Sequence, residues 1–411
     1  MSSDLQFLVG SNSSDIALVR FSPSTKQLSR VASSTVGPTP SWVEPCAIPA
    51  LHGKVFYAAS EMAGKVLSLD LAEDGKLSVQ GMGVTKGGSA HVLALKDGSG
   101  VIATNYSGGS ALFYPVDQQT GHLPAASTGA LASLTPSFLA SHPPILHFPF
   151  TYARHGPNKD RQEASHPHQA VEGEGGIVYV PDLGSDRIWI VRKAAGEGEV
   201  QLEICGEMRL PGGAGPRHAA LSPDGKHLYV LTELSHEIFI FPTPSPTNLH
   251  KPSEPLYLPI EPLTYEGYEI VPPEIPRDLR APLNAGELIV CPLSRAHGRT
   301  LYASNRGQVD LNSQIPGAEA KGDAITVLTL SEEGTHVESH TIVRTGTNFI
   351  RGMGVSKDGR WLACVGQKDG NVEVYECQGA RGEELVLVAR LEAGAQDGLG
   401  ITMLPTDVTW L

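Results

Sequence analysis

Three arginines, several carboxylates and a His-Pro-His tripeptide recur at one kind of place in this chain, and they are the groups with which it could do chemistry. Arg217 and Glu233 lie sixteen residues apart (233 minus 217) and flank two apolar runs, AALS and HLYVLT, joined at Pro223-Asp224-Gly225. Runs joined by a tight turn pair antiparallel, so the start of the first and the end of the second share one edge. One arginine beside one carboxylate at such an edge can be a plain rim salt bridge. Here the unit repeats. The starts of the first runs supply Trp42, His91, His166, Pro167, His168, Arg217, His218 and Arg351; the ends of the second supply Glu61, Asn105, Tyr106, Asp182, Glu233, Asn305, Arg306, Gln367 and Lys368. Guanidinium groups bind carboxylate or phosphate with two parallel donors, where lysine offers a point charge. Arg217, Arg306 and Arg351 therefore imply a small anionic substrate, and His168 adds a group that exchanges protons near neutral pH. Glu233 and Asp182 either neutralise the arginines or join the chemistry. The set fits proton transfer on a clamped anion. There is no GxSxG elbow, GxxxxGK[ST] loop or HExxH pair. His166 and His168 share one side of a strand, as metal ligands also do, but with no third ligand at hand zinc or calcium is the lesser alternative; neither a metal nor a cofactor is expected.

The elements that must hold these residues are short strands. Apolar runs begin at Phe7, Val55, Val101, Ile177, Leu228, Leu301 and Trp361, and each but the first follows a Gly-containing turn, as in SPDGK and SKDGR. The partner of the run at Leu301 is displaced to AITVLTL at Ala324. The first run lacks a preceding partner, which the carboxy-terminal GITMLPTDVTWL can supply by closing a ring. Seven similar units closed on themselves predict an all-β, seven-bladed β-propeller over residues 1–411 as one domain. A pair of β-sandwiches is the runner-up, but it gives no reason for seven similar corners. Two segments break the rhythm, about 118–165 and 242–284, the second dense in proline. Both are expected to run over a face of the ring and wall a site. His142, His147 and His155 in the first lack an acidic partner at metal spacing and are taken as loop histidines.

With 44 acidic against 31 basic residues, a net charge of −13, the chain is ill suited to nucleic acid or an anionic membrane surface. Its opening, MSSDLQFLVG, lacks a basic segment followed by an apolar core, and no run has the length of a membrane span; a soluble, cytoplasmic protein is expected. Five cysteines, odd in number and without CxxC spacing, read as buried free thiols. The 45 glycines and 31 prolines suit a turn-rich β protein.

Several segments carry a family resemblance: HPHQAV with YVPDLGSDRI, GPRHAALSPDGKHLYVLTELS, LYASNR, and IRGMGVSKDGRWLACVGQKDGNVEVYE. Over nearly its whole length the chain resembles the seven-bladed lactonases, a family that joins propeller-type 6-phosphogluconolactonases with fungal 3-carboxy-cis,cis-muconate cyclases. Arg351, Gln367 and Lys368 match lactonase-branch positions, while VPPEIPRD before LYASNR looks like the cyclase branch. The resemblance implies His168, Arg217, Glu233 and Arg306 as catalytic positions. His91, Asn105, His166, Asp182, His218, Arg351, Gln367 and Lys368 would complete a substrate-binding ring. Fungal relatives of the cyclases also include an isomerase of aconitate. The expected activity is thus cofactor-independent isomerisation or cycloisomerisation of an unsaturated polycarboxylate, because three arginines suit several carboxylates. Hydrolysis of a lactone such as 6-phosphogluconolactone is the alternative. A non-catalytic propeller that binds a protein is a third reading, and it would show an exposed apolar patch on the ring face.

Overall fold

The runs read as strands are buried along their whole length, as in Val55–Ser60 and Trp361–Gly366, where all six residues are buried. Strands with this pattern must be covered on both faces. The computed structural model describes residues 4–85, 87–124, 144–195, 200–251, 254, 259–292, 299–315 and 322–411. In it, seven four-stranded antiparallel sheets stand as blades around a central channel. Apolar clusters fill the gaps between neighbouring blades. Leu8 and Leu18 of the first blade meet Phe56 and Leu67 of the second, and Tyr302 and Val327 of the sixth meet Leu362 and Tyr375 of the seventh. The ring closes where Phe7 and Phe21 pack with Trp361 of the seventh blade.

The carboxy-terminal strand Pro405–Trp410 pairs antiparallel with Leu5–Ser11, Phe7 facing Trp410 and Val9 facing Val408, and so forms the innermost strand of the first blade. In the fifth blade Pro216–Leu221, His227–Thr232 and Glu237–Pro242 pair in succession. Their first turn is fastened by Ser222 Oγ donating to Asp224 Oδ1 at 2.6 Å and closes on Gly225 at φ +70°. Glycine adopts this left-handed conformation without the steric cost that a Cβ brings. Ser356, Asp358 and Gly359 repeat the arrangement in the seventh blade.

The two interrupting segments do more than cross a face. Ile145–His147 is the outer strand of the third blade, His147 facing Ser110, and Tyr268–Glu269 is the outer strand of the fifth, Tyr268 facing Ile238. The second segment also packs Val271, Ile275 and Leu283 on Leu311 and Ile315 beside the ring. His142 lies outside the described residues. Among the described residues no helix is long and apolar enough to cross a membrane.

Candidate active site

The inner strands reach one mouth of the channel with an extra residue each. In the fifth blade Pro216 faces Thr232 and His218 faces Leu231, which leaves Arg217 as a β-bulge. In the seventh, Ile350 faces Gly366 and Gly352 faces Val365, which leaves Arg351. The second and third blades bulge likewise between Pro40 and Trp42 and between Ser89 and His91. A bulge bends the strand and re-aims its side chains, here beside the channel mouth. In the fourth blade Pro167 bridges to Asp182 and His168 N donates to Pro181 O at 2.9 Å, so His168 holds the place that Arg217 holds in the fifth.

The facing corners also correspond. Glu233 N donates to Gly215 O at 2.7 Å, and the same bond recurs from Asn12, Glu61, Tyr106, Leu183 and Gln367. Leu183, not Asp182, is therefore the corner residue of the fourth blade, and Tyr106, not Asn105, that of the third. Asp182 is fully buried and accepts from Ser165 Oγ (2.6 Å), His166 N (2.7 Å) and Trp189 Nε1 (2.9 Å), so it fastens the corner from inside. Asn105 donates to Thr85 O and Ser110 Oγ within its own blade. Both precede the corner by one residue, and strand alternation turns them away from the channel. Their expected contact with substrate is corrected to a structural role.

Glu233 is the hub of the mouth. Arg217 Nε lies 2.9 Å from its Oε2, an ion contact rather than an aligned hydrogen bond, and Arg306 Nη2 lies 3.0 Å from the same oxygen. Arg161 Nη2 reaches Oε1 at 2.8 Å. Burial pushes the Glu233 pKa up, but Arg306, Arg217 and Arg161 outweigh it and hold it down at about 2. Glu233 is therefore an ionised counter-ion. Arg217 is buried and donates from Nη1 to Gly286 O. Residue 286 must lack a side chain, because a Cβ there would collide with the Ile350 carbonyl of the next inner strand. Burial and then Arg306 lower the Arg217 pKa while Glu233 opposes them; the group remains a cation at neutral pH. Arg306 donates to Ala285 O from Nε (3.1 Å) and Nη2 (2.8 Å) and stacks over Phe349 at 5.2 Å.

Arg351, on another part of the ring, pairs with Glu61 Oε2 at 2.9 Å and reaches Asn12 Oδ1 at 3.4 Å. Gln367 is half-buried at its corner, and the exposed Lys368 pairs with Asp310 at 2.6 Å on the rim. His166 stacks on Tyr106 with centroids 4.5 Å apart and is engaged at both nitrogens, by Tyr106 O and Glu163 Oε1. It props Tyr106 and does not share a ligand position with His168.

A layer of rings follows along the channel. His168 lies edge-on to Tyr106 at 5.8 Å and 5.0 Å from His218; Trp42 lies 5.6 Å from His218 and 4.4 Å from His91. All three histidines are buried. Burial, reinforced by the neighbouring cation Arg217, holds the His168 pKa well below 6.5, so its imidazole is neutral rather than poised at neutrality as its residue type suggests. His91 and His218 are depressed for the same first reason. His218 Nδ1 bonds Glu287 Oε1. Burial raises the Glu287 pKa as it lowers that of His218, which favours the neutral form of each.

Beyond this layer a cavity of about 340 Å³ is lined by Trp42, Glu44, Glu287, Met353 and Asp407, and burial raises Glu44 to about 8 and Asp407 to about 7. A larger cleft, about 620 Å³, lies apart from the mouth between the sixth and seventh blades. Its cations are already engaged, Arg390 by Glu373 and Arg344 by Gly322 O and Asn312. The arginine mouth, not this cleft, gathers the chemistry.

A family model of seven-bladed β-propeller lactonases matches residues 6–396. The chain belongs to that family. A protein of Arthroderma benhamiae named "Probable 6-phosphogluconolactonase" is 28% identical to this lactonase-family chain over 377 residues, covering 89% of it and 81% of the relative. The 6-phosphogluconolactonase of Serratia proteamaculans is 23% identical over 355 residues, with 86% of each covered. The structure of a periplasmic gluconolactonase from Pseudomonas aeruginosa superposes with a TM-score of 0.74 at 19% identity, over 100% of this chain and 99% of that one, and shares its fold.

Sequence reading brings Arg217, Glu233, Arg306 and His168 to one mouth, and the structure places them there. It misses Arg161, which has no counterpart among the repeats because it sits in the first interrupting segment. It also passes over Glu287, which no corner motif marks.

Proposed function

We propose that this protein hydrolyses an anionic sugar lactone of the 6-phosphogluconolactone type. The observation that carries the reading is a neutral, buried imidazole, His168, held beside a cluster of guanidinium groups that Glu233 orders. Lactone opening needs a base for water and a cation for the oxygen on which charge develops. His168 takes a proton from the attacking water as the new C–O bond forms at the lactone carbonyl. Arg217 and Arg306 stabilise the carbonyl oxygen as it becomes negative. When the ring C–O bond breaks, the His168 imidazolium returns the proton to the departing ring oxygen, leaving a hydroxy acid. Glu233 has its pKa too low to carry a proton in this sequence, so the proton carrier is the histidine and the glutamate fixes the cations.

The preference for isomerisation that the arginine count suggests yields to its alternative. The same clamp serves either substrate, and the relatives described above are named for lactones. Among the described residues the large exposed apolar side chains include Val79 and Leu387, which lie on the outer strands of the second and seventh blades and not on the inner strands that form the mouth. The test is the decay of 6-phosphoglucono-δ-lactone followed by proton NMR with and without protein. Wild type should shorten the lifetime of the lactone, and His168→Gln should lower kcat roughly a hundredfold. Decay at the spontaneous rate with wild-type protein would overturn the reading.

A further inference from the structure

Three arginines contact Glu233, and they are not equivalent. The Arg217 and Arg306 side chains are 2% and 9% exposed, whereas Arg161 is 36% exposed. Arg161 is the guanidinium of the cluster that a solute meets first. Its Nη2 donates to Glu233 Oε1 at 2.8 Å and Tyr106 OH at 3.0 Å, and its Nη1 to Asn284 Oδ1 at 3.3 Å. Three of the five guanidinium N–H groups are engaged by these described residues, which leaves two for a ligand.

The segment that bears Arg161 is fastened in place. Gln162, fully buried, donates to Leu183 O at 3.0 Å, and Gly156 N donates to Gln162 O at 2.7 Å. Thr151 Oγ1 donates to Ser185 O at 2.8 Å, and Tyr152 OH bonds Asp186. A loop fixed at several points presents its cation with little further ordering, which favours binding. The contacts do not balance either: among the described residues three guanidinium cations meet one carboxylate, that of Glu233. The nearby carboxylate of Glu163 is engaged with His166. A cluster with more guanidinium than carboxylate groups suits the negative charge of a phosphate monoester near neutral pH.

We propose that Arg161 is the specificity-determining residue that takes the phosphate of a phosphorylated lactone, leaving Arg217 and Arg306 to the reacting carbonyl. The proposal rests on the lactonase reading for its substrate, but the anion site can be tested without turnover.

The experiment compares wild type, Arg161→Gln and Arg161→Lys on phosphorylated and unphosphorylated glucono-δ-lactone, and measures inorganic phosphate binding by calorimetry. In Arg161→Gln the ratio of kcat/KM for the phosphorylated over the neutral lactone should fall roughly tenfold to a hundredfold, chiefly through KM. Arg161→Lys should lie between, since it keeps the charge and loses the fork. Phosphate affinity should fall at least about tenfold in Arg161→Gln. An equal loss on both lactones, or an unchanged ratio, overturns the proposal. If wild type opens neither lactone the proposed function fails, and phosphate binding then decides the anion site: unaltered affinity in Arg161→Gln overturns it. Melting curves of both variants show whether either is misfolded, and Arg161→Lys carries the test should the glutamine variant fail to fold.

Discussion

Replacing Glu233 by Gln keeps the shape of the hub and deletes its charge, leaving Arg161, Arg217 and Arg306 around a neutral amide whose NH₂ cannot accept. The carboxylate is 5% exposed, so solvent does little to screen the change. Its pKa moves from 4.5 to about 2 on folding, a shift equivalent to about 3 kcal/mol. Removing one partner of a buried ion pair costs about 3–5 kcal/mol by general experience, in agreement. At a melting entropy of about 2 cal/mol/K per residue, a chain of this length loses about 1 °C per kcal/mol, so Glu233→Gln should melt about 3–6 °C lower at pH 7. The pH dependence follows from the lowered pKa. Glu233 contributes its stability above pH 4.5 and loses it as pH falls through about 2, so the two melting curves should approach each other below pH 4.5. Phosphate should stabilise the variant more than the wild type, because an anion can replace the missing charge. Calorimetric melts of both proteins from pH 2 to 8, with and without phosphate, make the test. Melting points that agree within a degree throughout, with equal phosphate effects, would refute the assignment of Glu233 as counter-ion.

Two further outcomes concern groups whose pKa burial shifts. Because burial and Arg217 depress His168, the acidic limb of kcat/KM should lie below pH 6.5, and that of kcat should lie higher, since a bound anion offsets the arginines; a kcat/KM limb at or above 6.5 would show that His168 is not the base. Asp407, raised from 3.8 to about 7 by burial, gives its full stability below pH 3.8 and loses it as pH rises through about 7, on the order of 4 kcal/mol, so stability should fall less steeply over that range in Asp407→Asn; parallel denaturation midpoints across it would contradict this.

Much of the ring is legible in the sequence because each blade declares itself twice, by a turn such as SPDG and by an apolar run that follows it. The displaced AITVLTL pairs as expected, Ala303 facing Thr326, and the carboxy-terminal segment closes the first blade. The convergence of Arg217, Glu233 and Arg306 is legible for the same reason, since edge residues of equivalent hairpins share a mouth. Outer strands of two or three residues are not, because Tyr268–Glu269 and Ile145–His147 are too short to show a period. Strand alternation makes a one-residue error decisive, which is why Asn105 and Asp182 look like site residues while Tyr106 and Leu183 hold the corners. Nor does composition reveal that His168 lies under a roof of cations, so its depressed pKa emerges only from the fold. Arg161 belongs to a segment without repeats, and spacing offers no way to place it.

Entry of water oxygen into the product is the most direct test of lactone hydrolysis. Wild-type protein incubated with 6-phosphoglucono-δ-lactone in ¹⁸O-enriched water should yield a hydroxy acid with one ¹⁸O in its carboxylate, formed faster than in the protein-free control. The same protein should leave cis-aconitate and 3-carboxy-cis,cis-muconate unchanged. No acceleration of labelled product, together with conversion of either polycarboxylate, would contradict lactone hydrolysis and return the site to proton-transfer isomerisation.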